Sequence, residues 1–137
     1  MIDFENKTDC KIEVDDLEKI RESLAHAKSL ELIIVNDEEM RGINLEYRKL
    51  DKPTDVLSFP IKVSKTEFIG SIIISANTAK RVADEMGHAF EVELKILFIH
   101  GLLHLLGFDH ESDNGQMLQK EISVAKMFGI EETLLSR

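Results

Sequence analysis

The chain has no tryptophan, one tyrosine (Tyr47), one cysteine (Cys10), two prolines and seven glycines in 137 residues. A single cysteine excludes an internal disulfide and a cysteine-rich metal cluster, so any bound metal must rely on imidazole and oxygen ligands. Cys10 itself reads as an inert residue near the first strand. With so little proline and glycine and 43% hydrophobic residues, the chain reads as one domain, residues 1–137, able to bury a core. The opening residues, MIDFENKTDCK, lack the basic region followed by an apolar stretch that marks a secretory signal, and the expectation is a cytosolic protein. The longest apolar run, Ile96 to Phe108, is interrupted by two histidines and falls well short of the roughly 20 residues that span a bilayer, so no membrane segment is expected. Positive charge is also scarce. A net charge of −9 taken alone opposes a polyanionic partner. Its distribution is uneven: between Arg41 and Lys65 stand six basic residues (Arg41, Arg48, Lys49, Lys52, Lys62, Lys65) and three acidic ones (Glu46, Asp51, Asp55). From charge alone this segment is either a solvated helix end and loop or an anion-binding face.

What is present is a regular succession of strand and helix patterns. Ile2 and Phe4 alternate in a short first strand, Met1 to Glu5. Leu17, Ile20, Leu24 and Ala27 or Lys28 recur at helical spacing behind Asp15 or Asp16, which predicts a helix ending near Ser29. Leu30 to Val35 reads as a buried strand ending at Asn36-Asp37. Asp37 opens a helix with Met40, Ile43 and Tyr47 turned inward and Leu45 off that stripe, stopping near Lys49 ahead of Pro53. Val56, Leu57 and Phe59 form a short strand between Pro53 and Pro60, and the flanking prolines predict an edge or ligand-facing strand. Phe68 to Ser75, FIGSIIIS, is the strongest strand, with helices expected on at least one face. A helix capped by Ser75 or Asn77 runs to Met86 and closes at Gly87. His88 in that junction reads as a capping or surface histidine, and His26 as a surface one. From Phe90 to Leu106 the pattern is apolar on nearly every side, the mark of a central helix, with Glu91 and Glu93 in its first turn. An amphipathic helix from Asn114 to Phe128 and a short tail complete a mixed α/β layer structure around the Phe90 helix.

The central helix carries HGLLHLLGFDH, residues 100 to 110. His100 and His104 are four apart and project from one helix face. Gly107 can end the helix at positive φ, letting His110 turn back to the same point. Two imidazoles on a buried face, with no compensating acids at helical spacing, are an unexplained polar burial unless they share a purpose. A metal supplies it. Three neutral nitrogens leave a tetrahedral Zn(2+) with one position open, as in catalytic sites, and the undiminished dipositive charge suits phosphate esters. The spacing is that of the metzincin zinc motif, except that Gly101 stands where those proteases carry a glutamate base. That glycine implies a close approach of backbone or substrate, at a cost of about 1 kcal/mol to the helix. The site shows no obvious carboxylate base. Asp109 and Glu111, flanking His110, are candidates to orient an imidazole, with plain solvation as the equal alternative.

HGLLHLLGFDH, together with LEYRKLDKPTDVLSFP from Leu45 to Pro60, closely resembles the YbeY family of bacterial endoribonucleases, and the resemblance runs from about Leu30 to Glu121. It implies an α/β fold with a small, mostly parallel sheet packed against helices. It further implies that His100, His104 and His110 bind one zinc ion and that Arg48, in the Tyr-Arg element, is a catalytic or substrate-binding residue. The implied activity is metal-dependent cleavage of single-stranded RNA in maturing the 3′ end of small-subunit ribosomal RNA and in ribosome quality control. Partners are then the rRNA precursor and the ribosome or its small-subunit proteins, with neither DNA nor membrane. One departure is Gly70-Ser71, where the family usually has Gly-Asp before the isoleucine-rich strand. On the residues alone, Arg48 is equally a two-pronged phosphate holder in the basic segment or an ordinary surface arginine near a helix end. Stacking platforms for bases are few, Tyr47 and Phe59 being the candidates. The rival readings are a metallopeptidase, supported by the histidine spacing and opposed by Gly101, and a non-catalytic zinc domain docking on the ribosome.

Overall fold

The structure, a computed structural model, describes residues 1–61, 66–109 and 111–135. Lys62, Lys65 and His110 therefore lie outside the described residues. Strand β1 (Ile2–Asn6) leads through helix α1 (Asp15–Leu24) to β2 (Ser29–Val35), and α2 (Asp37–Arg48) leads to β3 (Val56–Pro60) and β4 (Phe68–Ser75). Helices α3 (Ala76–Met86), α4 (Phe90–Leu105) and α5 (Gln116–Met127) follow, then a 3-10 turn, Glu132–Leu134. The sheet order is β1-β2-β4-β3, with β1, β2 and β4 parallel and β3 antiparallel to β4. This is the expected mixed, mostly parallel sheet packed against helices.

Strand alternation sends β4 side chains to both faces. Ile72 and Ile74 enter the main core with α1, α3, α4 and α5. Ile73 joins Val35, Met40 and Leu57 in a smaller cluster beneath α2. Helix α4 is apolar all round because it touches α1, α3, α5, β3 and β4. Its Phe98, Ile99, Leu102 and Leu103 are fully buried, each contributing about 1.5–3 kcal/mol of apolar transfer. No helix among the described residues is long and apolar enough to cross a membrane.

Four local expectations need correction. Helix α1 stops at Leu24, short of Ser29, because Ala27 adopts φ 63° and the buried Arg21 donates to the turn carbonyls of Ala25 (3.3 Å) and Lys28 (2.9 Å). Helix α5 begins at Gln116, since Gly115 is left-handed and the Asp113 carboxylate accepts from the N–H groups of Gly115 (2.8 Å) and Met117 (3.0 Å). Tyr47 does not turn inward. The inner stripe of α2 buries Met40 and Asn44, whereas Tyr47 is 62% exposed at the rim of the sheet, its ring meeting only Phe59 among the described aromatic rings. The last residues are no loose tail, because Ile130 and Leu135 are buried in the main core.

Edge strand β3 is held at its end by Gly70, where the β2–β4 register shifts. At φ 137°, a Cβ on Gly70 would collide with the Phe59 carbonyl oxygen. Only glycine lets β3 lie this close.

Candidate metal centre

His100 and His104 sit one turn apart on α4, ring centroids 4.7 Å apart and nearly perpendicular. Their Nε2 atoms face each other at 3.1 Å. Each ring is held from behind: Nδ1 of His100 lies 2.8 Å from Oε1 of Glu121 on α5, and Nδ1 of His104 lies 3.1 Å from the Phe108 carbonyl oxygen. The second contact is made by the turn that ends the helix. Gly107 at φ 99° donates to the His104 carbonyl (3.0 Å) and Phe108 donates to that of Leu103 (3.0 Å). This paired closure bends the chain back over the last turn and points the Phe108 carbonyl at the imidazole.

The acceptor at each Nδ1 favours the neutral tautomer with its proton on that atom, in which both Nε2 atoms present lone pairs. Two lone pairs at this distance repel unless a cation lies against both. Two nitrogens bound to tetrahedral zinc at about 2.0–2.1 Å stand about 3.3 Å apart, so the pair fits such an ion. The donor set, neutral imidazoles backed by a carboxylate and a carbonyl, also suits a divalent metal. Among the described residues two of the three expected histidines meet here, and the third, His110, lies outside them.

The histidines open onto a cleft of about 810 Å³ whose wall also includes Arg48, Asp55, Ser58 and Glu121. Arg48 comes from the last turn of α2. Among the described residues its guanidinium enters no hydrogen bond or ion pair, whereas Arg41, two turns earlier on the same helix, is forked onto Asp51 at 2.6 and 3.0 Å. Among the described residues Arg48 is the only arginine on the cleft wall, and uncommitted to a partner there it can take an anion.

The family model described as Endoribonuclease YbeY matches residues 3–135. The chain belongs to the endoribonuclease YbeY family. It is 46% identical over 137 residues to Endoribonuclease YbeY of Nautilia profundicola, covering 100% of this chain and 98% of that protein. It is 47% identical over 139 residues to that of Aliarcobacter butzleri, covering 100% and 99%. A Thermotoga maritima protein solved in solution superposes with a TM-score of 0.69 at 28% identity, covering 94% of this chain and 90% of that one.

Other residues singled out in the sequence fall into place around this YbeY-family cleft. Gly101 does not meet backbone or an open site. A Cβ there would stand 3.0 Å from Ile72 Cγ2 and 3.1 Å from Ser58 Oγ, so the glycine seats α4 on the sheet. Ser58 reinforces that seat by donating to the Gly101 carbonyl at 3.2 Å. Ser71, at the departure from the family pattern, donates to Glu31 at 2.9 Å. It alternates with Ile72 and so lies on the sheet face turned away from α4. Asp109 accepts from the backbone N–H of Glu111 at 3.0 Å, and both residues are exposed on the cleft wall.

The carboxylate that orients an imidazole is Glu121. Sequence reasoning missed it, although an acid on the buried stripe of α5, between Met117 and Val124, was a signal. Nor is the cleft free of carboxylates, since the fold brings Asp55 ahead of β3 to the same wall as Asp109, Glu111 and Asp113 of the loop after α4. His88 is not a surface histidine: its Nε2 lies 2.8 Å from the fully buried Glu93, because α3 and α4 pack tightly at that junction. His26 is exposed beside Glu22.

Proposed function

We propose that this chain is a zinc-dependent endoribonuclease that cuts single-stranded RNA, acting in the cytoplasm on the 3′ end of small-subunit ribosomal RNA precursor and on ribosomes under quality control. The observation that carries the reading is the pair of Nε2 atoms at 3.1 Å, opening on a cleft that Arg48 shares. Membership of a family whose relatives are named endoribonucleases supplies RNA as the substrate class.

His100 and His104 with His110 are the residues that would hold the ion. When bound, zinc supplies a Lewis-acidic dipositive charge that draws phosphoryl oxygens and activates water. The protein's own groups do the rest. Arg48 takes two oxygens of the scissile phosphate in its fork and stabilises the charge that grows on them. Glu121 and the Phe108 carbonyl keep the Nδ1 protons in place, so that both Nε2 lone pairs stay directed into the cleft.

The test is purified, metal-loaded protein assayed on single-stranded RNA and on an unstructured protein, beside His104→Ala and Arg48→Ala. We expect RNA cleavage that His104→Ala abolishes and that Arg48→Ala lowers on the order of 100- to 1,000-fold in kcat. Undiminished RNA cleavage by His104→Ala would sink the metal mechanism. Peptide cleavage without RNA cleavage would replace it with a peptidase, and zinc and RNA binding without turnover would leave a docking domain.

A further inference from the structure

The surface beside the cleft holds an aromatic residue that packing alone does not explain. Tyr47 is 62% exposed, yet its ring is braced edge-on by Phe59, centroids 5.1 Å apart at 63°. Phe59 belongs to β3, whose neighbouring residues Ser58 and Pro60 line the cleft. Since successive strand residues point to opposite faces, the cleft wall and the Tyr47–Phe59 pair are two sides of one edge strand. Among the described residues nothing pairs with the outer edge of β3. The next residue after Tyr47 is Arg48, which reaches the cleft, and the exposed Lys49 and Lys52 follow. In a chain of net charge −9 these three cations offer a polyanion positive charge beside the cleft.

We propose that Tyr47, braced by Phe59, is a base-stacking platform for the RNA strand next to the scissile phosphate, the strand leaving the cleft over the β3 edge. The inference rests on the nuclease reading above and adds the surface that grips the flanking nucleotide. A flat ring held at one edge presents its free face without an ordering cost, and stacking on it tolerates any base. Such an arrangement selects single strands, whose bases can be splayed out, over duplexes.

The experiment compares wild type with Tyr47→Ala, Tyr47→Leu and Tyr47→Phe on a single-stranded RNA oligomer and on versions in which one base at a time is removed. A second readout is the fluorescence of an aminopurine base placed beside the cut. Tyr47→Leu keeps apolar contact with Phe59 but has no ring. We expect both ringless variants to raise KM on the order of 5- to 30-fold with kcat nearly unchanged, and Tyr47→Phe to restore wild-type KM. In wild type one abasic position carries a comparable penalty, which vanishes in Tyr47→Ala. An unchanged KM in the ringless variants, or a penalty that persists in Tyr47→Ala, overturns the platform. Unchanged KM together with loss of self-association would assign the patch to a second copy of this chain and also overturn it. Wild-type protein that quenches aminopurine through Tyr47 but cuts no RNA would keep the platform and sink the nuclease reading instead.

Discussion

Glu121 decides which nitrogen of His100 faces the cleft. Its carboxylate 2.8 Å from Nδ1 holds the proton on that atom and raises the donor strength of the opposite one. Replacing it with alanine should therefore weaken metal binding by about 10- to 100-fold, with glutamine intermediate because an amide oxygen can still accept the Nδ1 proton. Competition against a chelator of known affinity measures this without any assay of turnover, and unchanged affinity in Glu121→Ala would refute the role. His100 and His104 were legible in the sequence because four-residue spacing on a helix is local geometry. Glu121 was not, because its meeting with His100 depends on how α5 packs against α4. Tyr47 is less legible for a related reason: helical spacing gives the side of the helix, whereas how deeply that side is covered depends on the edge strand β3, whose Phe59 meets only the edge of the ring.

At the scale of elements, the site depends on how closely α4 approaches the sheet. Gly101 meets β4 and β3 side chains at 3.0 and 3.1 Å from where a Cβ would stand, and Ile72 is β-branched and fully buried, so it yields little. Gly101→Ala gains about 1 kcal/mol of helix propensity but incurs about 1–3 kcal/mol of overpacking. The expected net result is a loss of up to about 2 kcal/mol in denaturant unfolding, with reduced RNA cleavage as the histidines shift against β3. A more stable Gly101→Ala would show that the contact is not tight. Most element boundaries could be read from capping residues and prolines: Asn36 caps α2 and Ser75 caps α3, each accepting from the N–H three residues on. The ends of α1 and α5 were missed because a buried arginine and an aspartate turn, both tertiary or loop devices, set them.

For the whole molecule, one carboxylate ties three elements together. Asp37 at the start of α2 accepts from Ser75 Oγ and Thr78 Oγ1, both at 2.6 Å, and pairs with Arg81 at 3.4 Å. Burial opposes its ionisation, but these hydrogen bonds and the Arg81 charge outweigh burial and hold its pKa below the ordinary value. A depressed folded pKa means that the unfolded chain takes up the proton first. The stabilisation is thus complete above the unfolded pKa, near 4, and is lost as pH falls through the folded value. Asp37→Asn is expected to cost about 1–2 kcal/mol at neutral pH and to make urea stability decline less steeply below about pH 5. An equally steep decline in that variant would count against the linkage. The mixed α/β class could be anticipated from alternating strand and helix patterns. The order β1-β2-β4-β3 and the reversed direction of β3 could not, since they are long-range pairings that no local pattern encodes.

The packing of α4 against five other elements has one more consequence. Amide protons of such a helix exchange with solvent only when the whole molecule opens, so the spacing between His100 and His104 is as persistent as the fold itself. Under the proposed function, an ion could leave and return without the paired nitrogens drifting apart between one turnover and the next.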